Sequence, residues 1–223
     1  MRLVSMVPSV TETLSAWRLD PVACTRFCER DDIPSVGGTK DPDIEAIVQL
    51  RPDLVIVDAE ENRREDYEAL VAREIPVHVL HIRSLMDVDP AMSALSTRIN
   101  GSWNPPSLPA RKVVRLRALV PIWRRPWMAL GAPTYGASVL DFLGVALVLS
   151  ERGPYPEFSL DEAIGLRPDV VLAPSEPYPF TRRQLPELQS VAPTTFVDGK
   201  DLFWWGERTH DALRRLSEMI EGL

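Results

Sequence analysis

Aromatic side chains gather in the second half of this chain. Tyr135, Tyr155, Tyr178, Phe180, Phe203, Trp204 and Trp205 all fall at or near expected loops. Such side chains supply large, stiff apolar contact at low entropic cost, which suits a broad, flat ligand. Each could equally be a core plug beneath its loop. Arg26 offers fixed donors to a carboxylate or carbonyl, or else a surface ion pair with Glu29 or Asp31. Gly37 and Gly38 permit close backbone approach, but no phosphate-loop pattern surrounds them.

Metal and catalytic chemistry find less support. The three histidines are His78, His81 and His210. The first two, three apart on an expected strand, should face opposite sides, and no convergent metal-ligand set is expected. Ser9 and Ser138 lack the G-x-S-x-G elbow of a hydrolase. The pairs Glu60-Glu61 and Asp31-Asp32 read as solvated charge. Cys24 and Cys28 have no second pair to complete a zinc site. They are expected to be two free thiols, one of them buried, with a disulfide as the alternative. No catalytic residue and no intrinsic cofactor are expected.

The bulk numbers agree with a globular binding protein. The chain has 223 residues, 45% hydrophobic and 26% charged, with net charge -7. Such acidity argues against nucleic acid or an anionic membrane as partner. No apolar run approaches the ~20 residues of a membrane span, so no membrane insertion is expected. The opening Met1-Arg2-Leu3-Val4-Ser5 does not read as a secretory leader. Either the protein is cytoplasmic, or a leader was removed and it is periplasmic or otherwise extracytoplasmic.

The elements that must position these residues come from an internal repeat. P-D-I-E-A-I-V-Q-L-R-P-D-L-V-I-V at 42–57 matches F-S-L-D-E-A-I-G-L-R-P-D-V-V-L-A at 158–173, placing Asp53 against Asp169. Asp41 with Pro42 in one copy, and a Ser159…Glu162 capping box in the other, should start a short helix. Arg-Pro stops it, and an aliphatic strand buried on both faces follows. Leu3 to Val7 with the helix Ser9 to Trp17, carrying a Ser9…Glu12 capping box, is expected to correspond to Met128 to Gly131 with the helix Tyr135 to Leu143. Further strands are expected at Val22 to Cys24, Val77 to Ile82, Val145 to Leu149 and Thr194 to Val197. Alternating strands and helices predict α/β architecture, with two doubly wound parallel-sheet lobes joined by a single helical connector, one continuous sheet built from the duplicated unit being the alternative. The expected boundaries are 1–88, a connector at 89–123 with its helix at Leu108 to Leu119, and 124–223.

The sequence at this point resembles the class III, helical-backbone substrate-binding proteins, and within them the cobalamin-binding branch. The segments that carry the likeness are R-L-V-S-M-V-P-S-V-T-E-T-L, T-R-F-C-E-R-D-D-I-P-S-V-G-G at 25–38, D-P-D-I-E-A-I-V-Q-L-R-P-D-L-V-I, and the aromatic stretch 201–208. The resemblance implies a non-enzymatic receptor that holds cobalamin, haem or a ferric siderophore between two lobes and serves an ABC permease. A cytoplasmic carrier of a corrinoid or related metallo-ligand, or an enzyme subunit with the same fold, is the alternative.

In parallel α/β lobes ligands sit beyond the carboxyl ends of the strands. The candidate lining is therefore Pro8, Ser9, Arg26, Phe27, Gly38, Asp58 and Arg83 from the first lobe. The second lobe would supply Tyr135, Tyr155, Tyr178, Phe203, Trp204 and Trp205. The resemblance also implies an acidic permease-docking residue after the third strand of each lobe. Here those stretches carry Arg63-Arg64 and Arg182-Arg183 instead, and only the first keeps acids nearby, at Glu65 and Asp66; docking through Glu65, Glu187 or other acids is the alternative.

Overall fold

The computed structural model describes residues 1–223. The chain divides into two compact units. The first takes Met1–Ile82, Met86–Pro106 and Trp205–Arg208; the second takes Arg83–Leu85, Ser107–Trp204 and Thr209–Leu223. In chain order the elements are β1 (Leu3–Ser5), α1 (Pro8–Ala16), β2 (Ala23–Cys24), α2 (Ile44–Gln49), β3 (Leu54–Asp58), α3 (Arg64–Val71), β4 (Val77–Leu80) and α4 (Leu85–Ile99). They continue with β5 (Leu116–Leu119), β6 (Pro121–Trp123), β7 (Met128–Ala129), α5 (Tyr135–Phe142), β8 (Val145–Leu147), α6 (Leu160–Leu166), β9 (Val170–Pro174), α7 (Leu185–Gln189), β10 (Thr194–Val197), α8 (Gly199–Phe203) and α9 (Thr209–Glu221). No helix is long and apolar enough to cross a membrane.

Each unit holds one four-stranded parallel sheet, ordered β2-β1-β3-β4 in the first and β10-β9-β5-β8 in the second. The two orders are the same once β5 is matched to β1, β8 to β2, β9 to β3 and β10 to β4. The middle strands β3 and β9 are mostly aliphatic because both faces are covered, with Asp58 and Pro174 at their ends. Every residue of β3 and β9 is buried. The core of the first unit joins Val4, Met6, Val55 and Val57 to Ile47 and Leu70 of the covering helices. That of the second joins Leu119, Val171 and Ala173 to Ala163, Phe158 and Phe180.

The repeated L-R-P-D owes its persistence to local geometry. Arg51 and Arg167 both take the left-handed conformation, at φ 46° and 49°, and end α2 and α6. Proline follows where no amide hydrogen is needed. Asp53 then accepts the backbone N–H of Arg2, and Asp169 accepts that of Arg117. The two arginine side chains in turn donate to helix-end carbonyls, Arg2 to Leu50 and Arg117 to Leu166 and Arg167. Orphan carbonyls at a helix end need such donors. One device thus locks helix to strand in both units.

Four expectations are corrected. The helix expected at Leu108 to Leu119 is absent: 101–115 is irregular, and Leu116–Leu119 is β5, the first strand of the second sheet. The long helix of this region is α4, which begins earlier, at Leu85. Met128–Ala129 belongs to an antiparallel hairpin with β6 rather than to the parallel sheet. At α2 the cap is Asp43, which accepts the N–H of Ala46, while Asp41 turns to Arg26. At α1, Pro8 opens the helix after an extended Val7, so Ser9 lies within the first turn rather than capping it. The Ser159 and Glu162 capping box forms as the spacing requires.

Candidate functional site

In the first unit the loops beyond β1, β2 and β3 are tied together by Asn62, a residue that sequence reasoning missed. Its Oδ1 accepts the N–H of Asp58, and its Nδ2 donates to the carbonyls of Met6 and Thr39. Asp58 works beside it. Its carboxylate accepts the backbone N–H groups of Glu60 and Glu61 on one oxygen and of Ile82 on the other. Burial pushes the Asp58 carboxyl above the usual range, and those three donors oppose the shift. Asp58 therefore shapes the loop, which corrects the expectation that it faces a ligand. The only sequence signal for Asn62 is an amide just past a buried strand, which is too common to single out.

Arg26, Phe27 and Gly38 are brought together. The Arg26 guanidinium reaches both carboxylate oxygens of Asp41 at 2.8 and 2.9 Å, not Glu29 or Asp31. It also lies 5.0 Å from the centre of the Phe27 ring. Phe27 is 53% exposed, the most open aromatic among the candidates. Gly38 is buried, and any side chain there would strike the Asp41 carboxylate and the Arg26 guanidinium. Its small size thus serves the ion pair. The left-handed position of the pair is Gly37, at φ 93°. Pro8 and Ser9 are buried in the first turn of α1, and Arg83 is half-buried in the short stretch beyond β4.

In the second unit, residues 154–158 run antiparallel to 127–131. Gly131 donates to Pro154, Ala129 to Pro156, and Phe158 to Trp127, all through backbone N–H groups. Tyr155, 45% exposed, stands on this pairing between two anchored prolines. Trp204 ends α8 and is half-buried. Its Nε1 donates to Glu176 Oε1 at 2.6 Å, and Lys200 Nζ lies 5.1 Å from its ring. Phe203 is also half-buried. Tyr178 packs edge-on to Trp123 and leans on Phe180, which stacks with Trp127. Tyr178 therefore extends an aromatic cluster whose exposed member is Trp123, unnoticed as a candidate in the sequence.

Two expected lining residues are packing groups. Tyr135 is buried, with its hydroxyl 3.4 Å from that of Thr209. Trp205 is 3% exposed and falls in the short segment assigned to the first unit. There Glu207 accepts the indole N–H of Trp17 and donates its own N–H to the Thr13 hydroxyl.

The platform under Tyr155 depends on Gly131. A methyl group there would overlap the carbonyl oxygen of Gly153, a backbone atom that cannot step aside. Gly131→Ala is expected to lower stability by about 1–3 kcal/mol, the usual cost of overpacking. Thermal unfolding measures that loss. A neutral result would mean that 150–156 moves freely against β7.

The strand ends also carry two cavities. One of about 530 Å³ is lined by Thr25, Arg26, Cys28 and 30–35 of the first unit. The other, of about 290 Å³, lies where β9 and β10 end, among Ser175, Phe180, Thr181, Arg182 and Phe196. Of the expected lining residues only Arg26 borders either one. No group of three or more His, Cys, Asp or Glu side chains is arranged to hold a metal ion.

The chain is an α/β protein with a parallel sheet in each of two units, and it shares its fold with solved periplasmic binding proteins. Residues 3–82 match the periplasmic binding protein family, the stretch that holds most of the motifs behind the resemblance. The periplasmic vitamin B12 binding protein BtuF of Vibrio cholerae is similar at 18% identity and TM-score 0.75, covering 99% of this chain and 96% of its own. A periplasmic heme binding protein from Pseudomonas aeruginosa aligns at 18% identity and TM-score 0.78, over 98% and 91% of the two chains. IsdE of S. aureus, solved with heme, aligns at 13% identity and TM-score 0.72, over 98% of each. No curated protein matches the chain by sequence.

Proposed function

We propose that this chain is a non-enzymatic solute receptor whose ligand is a broad metal chelate of the cobalamin or haem kind. The supporting observation is the rigid, exposed aromatic at Tyr155, with Trp204 oriented by Glu176 on the same unit. Flat apolar faces with few polar groups suit a macrocycle. An anionic ferric siderophore would call for available cations. At the larger cavity Arg26 is neutralised by Asp41, and Arg30 by Asp20 and Asp32, so that Arg182 at the smaller cavity is the cation left for such a ligand. The solved proteins of like fold that take vitamin B12 or heme point the same way.

Absorbance and calorimetric titration with cyanocobalamin, haem and two ferric siderophores tests the proposal. Saturable one-to-one binding of cobalamin or haem is expected. Failure of both, or a clear preference for a siderophore, would overturn it. Trp204→Ala should weaken the best of these ligands about 30-fold, or roughly 2 kcal/mol, as loss of an aromatic anchor does. An unchanged affinity with the fold intact would remove Trp204 from the site.

One observation bears on delivery. Asp66, the acid nearest the expected docking position on α3, is paired with Arg63 in a bidentate contact and is largely buried. Glu187 on α7 is similarly held by Arg124, which keeps its carboxyl below the usual range. Asp66 and Glu187 are thus paired, with Arg64 and the Arg182-Arg183 pair exposed beside them, which leaves Glu65 as the open acid of these stretches for arginines of a permease. A carrier that hands its chelate to some other acceptor is the reading this favours, and salt-dependent binding to an importer would count against it.

A further inference from the structure

Cys24 and Cys28 play no part in the proposed receptor role, yet their setting is built for thiol chemistry. Cys24 closes β2 and is buried; its N–H donates to Pro34 and its carbonyl accepts from Val36. The chain then turns tightly, with Cys28 N–H donating to the carbonyl of Thr25. That turn returns Cys28 to the end of β2, where its thiol and that of Cys24 influence each other's ionisation. Cys28 Sγ lies 3.1 Å from the Thr11 hydroxyl and 3.3 Å from that of Thr25. It borders the 530 Å³ cavity, whereas Cys24 does not. Both thiols are buried, not one as the sequence suggested, and Cys28 is the one that borders the depression.

We propose that Cys28 is a hydroperoxide-reactive thiol whose oxidised form Cys24 captures as an intrachain disulfide. In the first step the Cys28 thiolate sulfur attacks one peroxide oxygen. The S–O bond forms, the O–O bond breaks, and the departing oxygen takes a proton to leave as water or an alcohol. Cys28 loses two electrons and the peroxide gains them. In the second step Cys24 sulfur attacks the sulfenic sulfur; S–S forms, S–OH breaks, and the hydroxide leaves with the Cys24 proton as water.

The surroundings assign the two roles. Donation from Cys24 and the two threonine hydroxyls holds the Cys28 thiol below its usual range against the opposing effect of burial. The Thr11 hydroxyl, which can also donate to Ser5 Oγ at 2.8 Å, can turn toward a thiolate when one forms. Cys24 is pushed up, first because it is the donor to Cys28 and then by burial. A thiol held low beside one pushed up suits attack followed by resolution. A soft metal held by both sulfurs would require both to ionise, which this arrangement disfavours.

The test uses the full chain, fully reduced, and hydrogen peroxide as the probe. The wild type should lose both thiols and about 2 Da of mass, reversibly on adding dithiothreitol. Its rate should exceed that of an exposed cysteine in a peptide about tenfold at neutral pH. Cys24→Ser should stop at a Cys28 sulfenic acid, trapped by dimedone, and Cys28→Ser should leave Cys24 nearly inert. A peptide map of the oxidised wild type showing the 24–28 link keeps the test independent of either variant's folding. Retention of both thiols under peroxide, or equal reactivity of Cys28→Ser and wild type, would overturn the proposal. Ligand titration is unaffected by either result, so this inference and the receptor reading stand or fall separately.

Discussion

Ile47→Ala is expected to cost the first unit about 3 kcal/mol, within the usual range for truncating a buried aliphatic side chain. Helix α2 has six residues, too few to persist without tertiary packing. Ile47 is its one fully buried side chain and packs into the cluster of Val4, Met6, Val55 and Val57. Removing it deletes apolar contact and opens a cavity that a short, doubly tethered helix cannot easily collapse into. The repeat provides an internal control. The matching residue in α6 is Ala163, also fully buried, and its neighbour Ile164 is exposed. Ile164→Ala should therefore cost under about 0.5 kcal/mol, as surface changes do. Urea unfolding of both variants against the wild type decides the matter. Equal shifts would mean that α2 does not anchor the sheet.

The repeat was legible because its information is local. An arginine in the left-handed conformation, a proline that needs no donor, and an aspartate accepting the N–H of the first strand's arginine all follow from four adjacent residues. The first strand of the second sheet was not legible for the opposite reason. Val113 and Leu116 fall at helical spacing, and short apolar runs do not fix their own period. Pairing of Leu116–Leu119 with β8 and β9 decides the outcome, and those partners lie far along the chain. The long helix was missed because Pro90 sits within α4, where proline usually signals a boundary.

Residue type at the site was readable, but residue facing was not. Trp204 and Trp205 are neighbours of the same kind. Trp204 has extended backbone angles, at φ -95° and ψ 132°, and successive side chains of an extended chain point to opposite sides. One ring stays half-open while the other is buried. Tyr135 and Tyr155 differ similarly, the first closed over by its own helix start and the second raised on a loop held at both flanks. Aromatic content therefore announced a candidate surface, whereas the backbone chose which rings belong to it.

Arg215→Met is expected to destabilise the second unit by about 2 kcal/mol, between the small value of an exposed pair and the larger one of a buried pair. Arg215 on α9 donates to both carboxylate oxygens of Asp201 on α8, at 2.8 and 2.6 Å. The pair is asymmetric: the Asp201 side chain is 5% exposed and that of Arg215 is 42% exposed. Methionine keeps most of the apolar stem that lies along the helix and removes only the charge. The buried carboxylate then loses its main counter-charge while remaining shielded from water. Asp201→Ala should cost less, about 1 kcal/mol, because the stranded guanidinium is half in solvent and can hydrate. In the double variant the two effects should not add, since both report one contact. Chemical unfolding of the three proteins at low and high salt gives all the terms. The Arg215→Met loss should persist in salt, because a buried acid is screened far less than a surface one. Equal costs for the two single variants, or their disappearance in salt, would show that burial of Asp201 does not govern the pair.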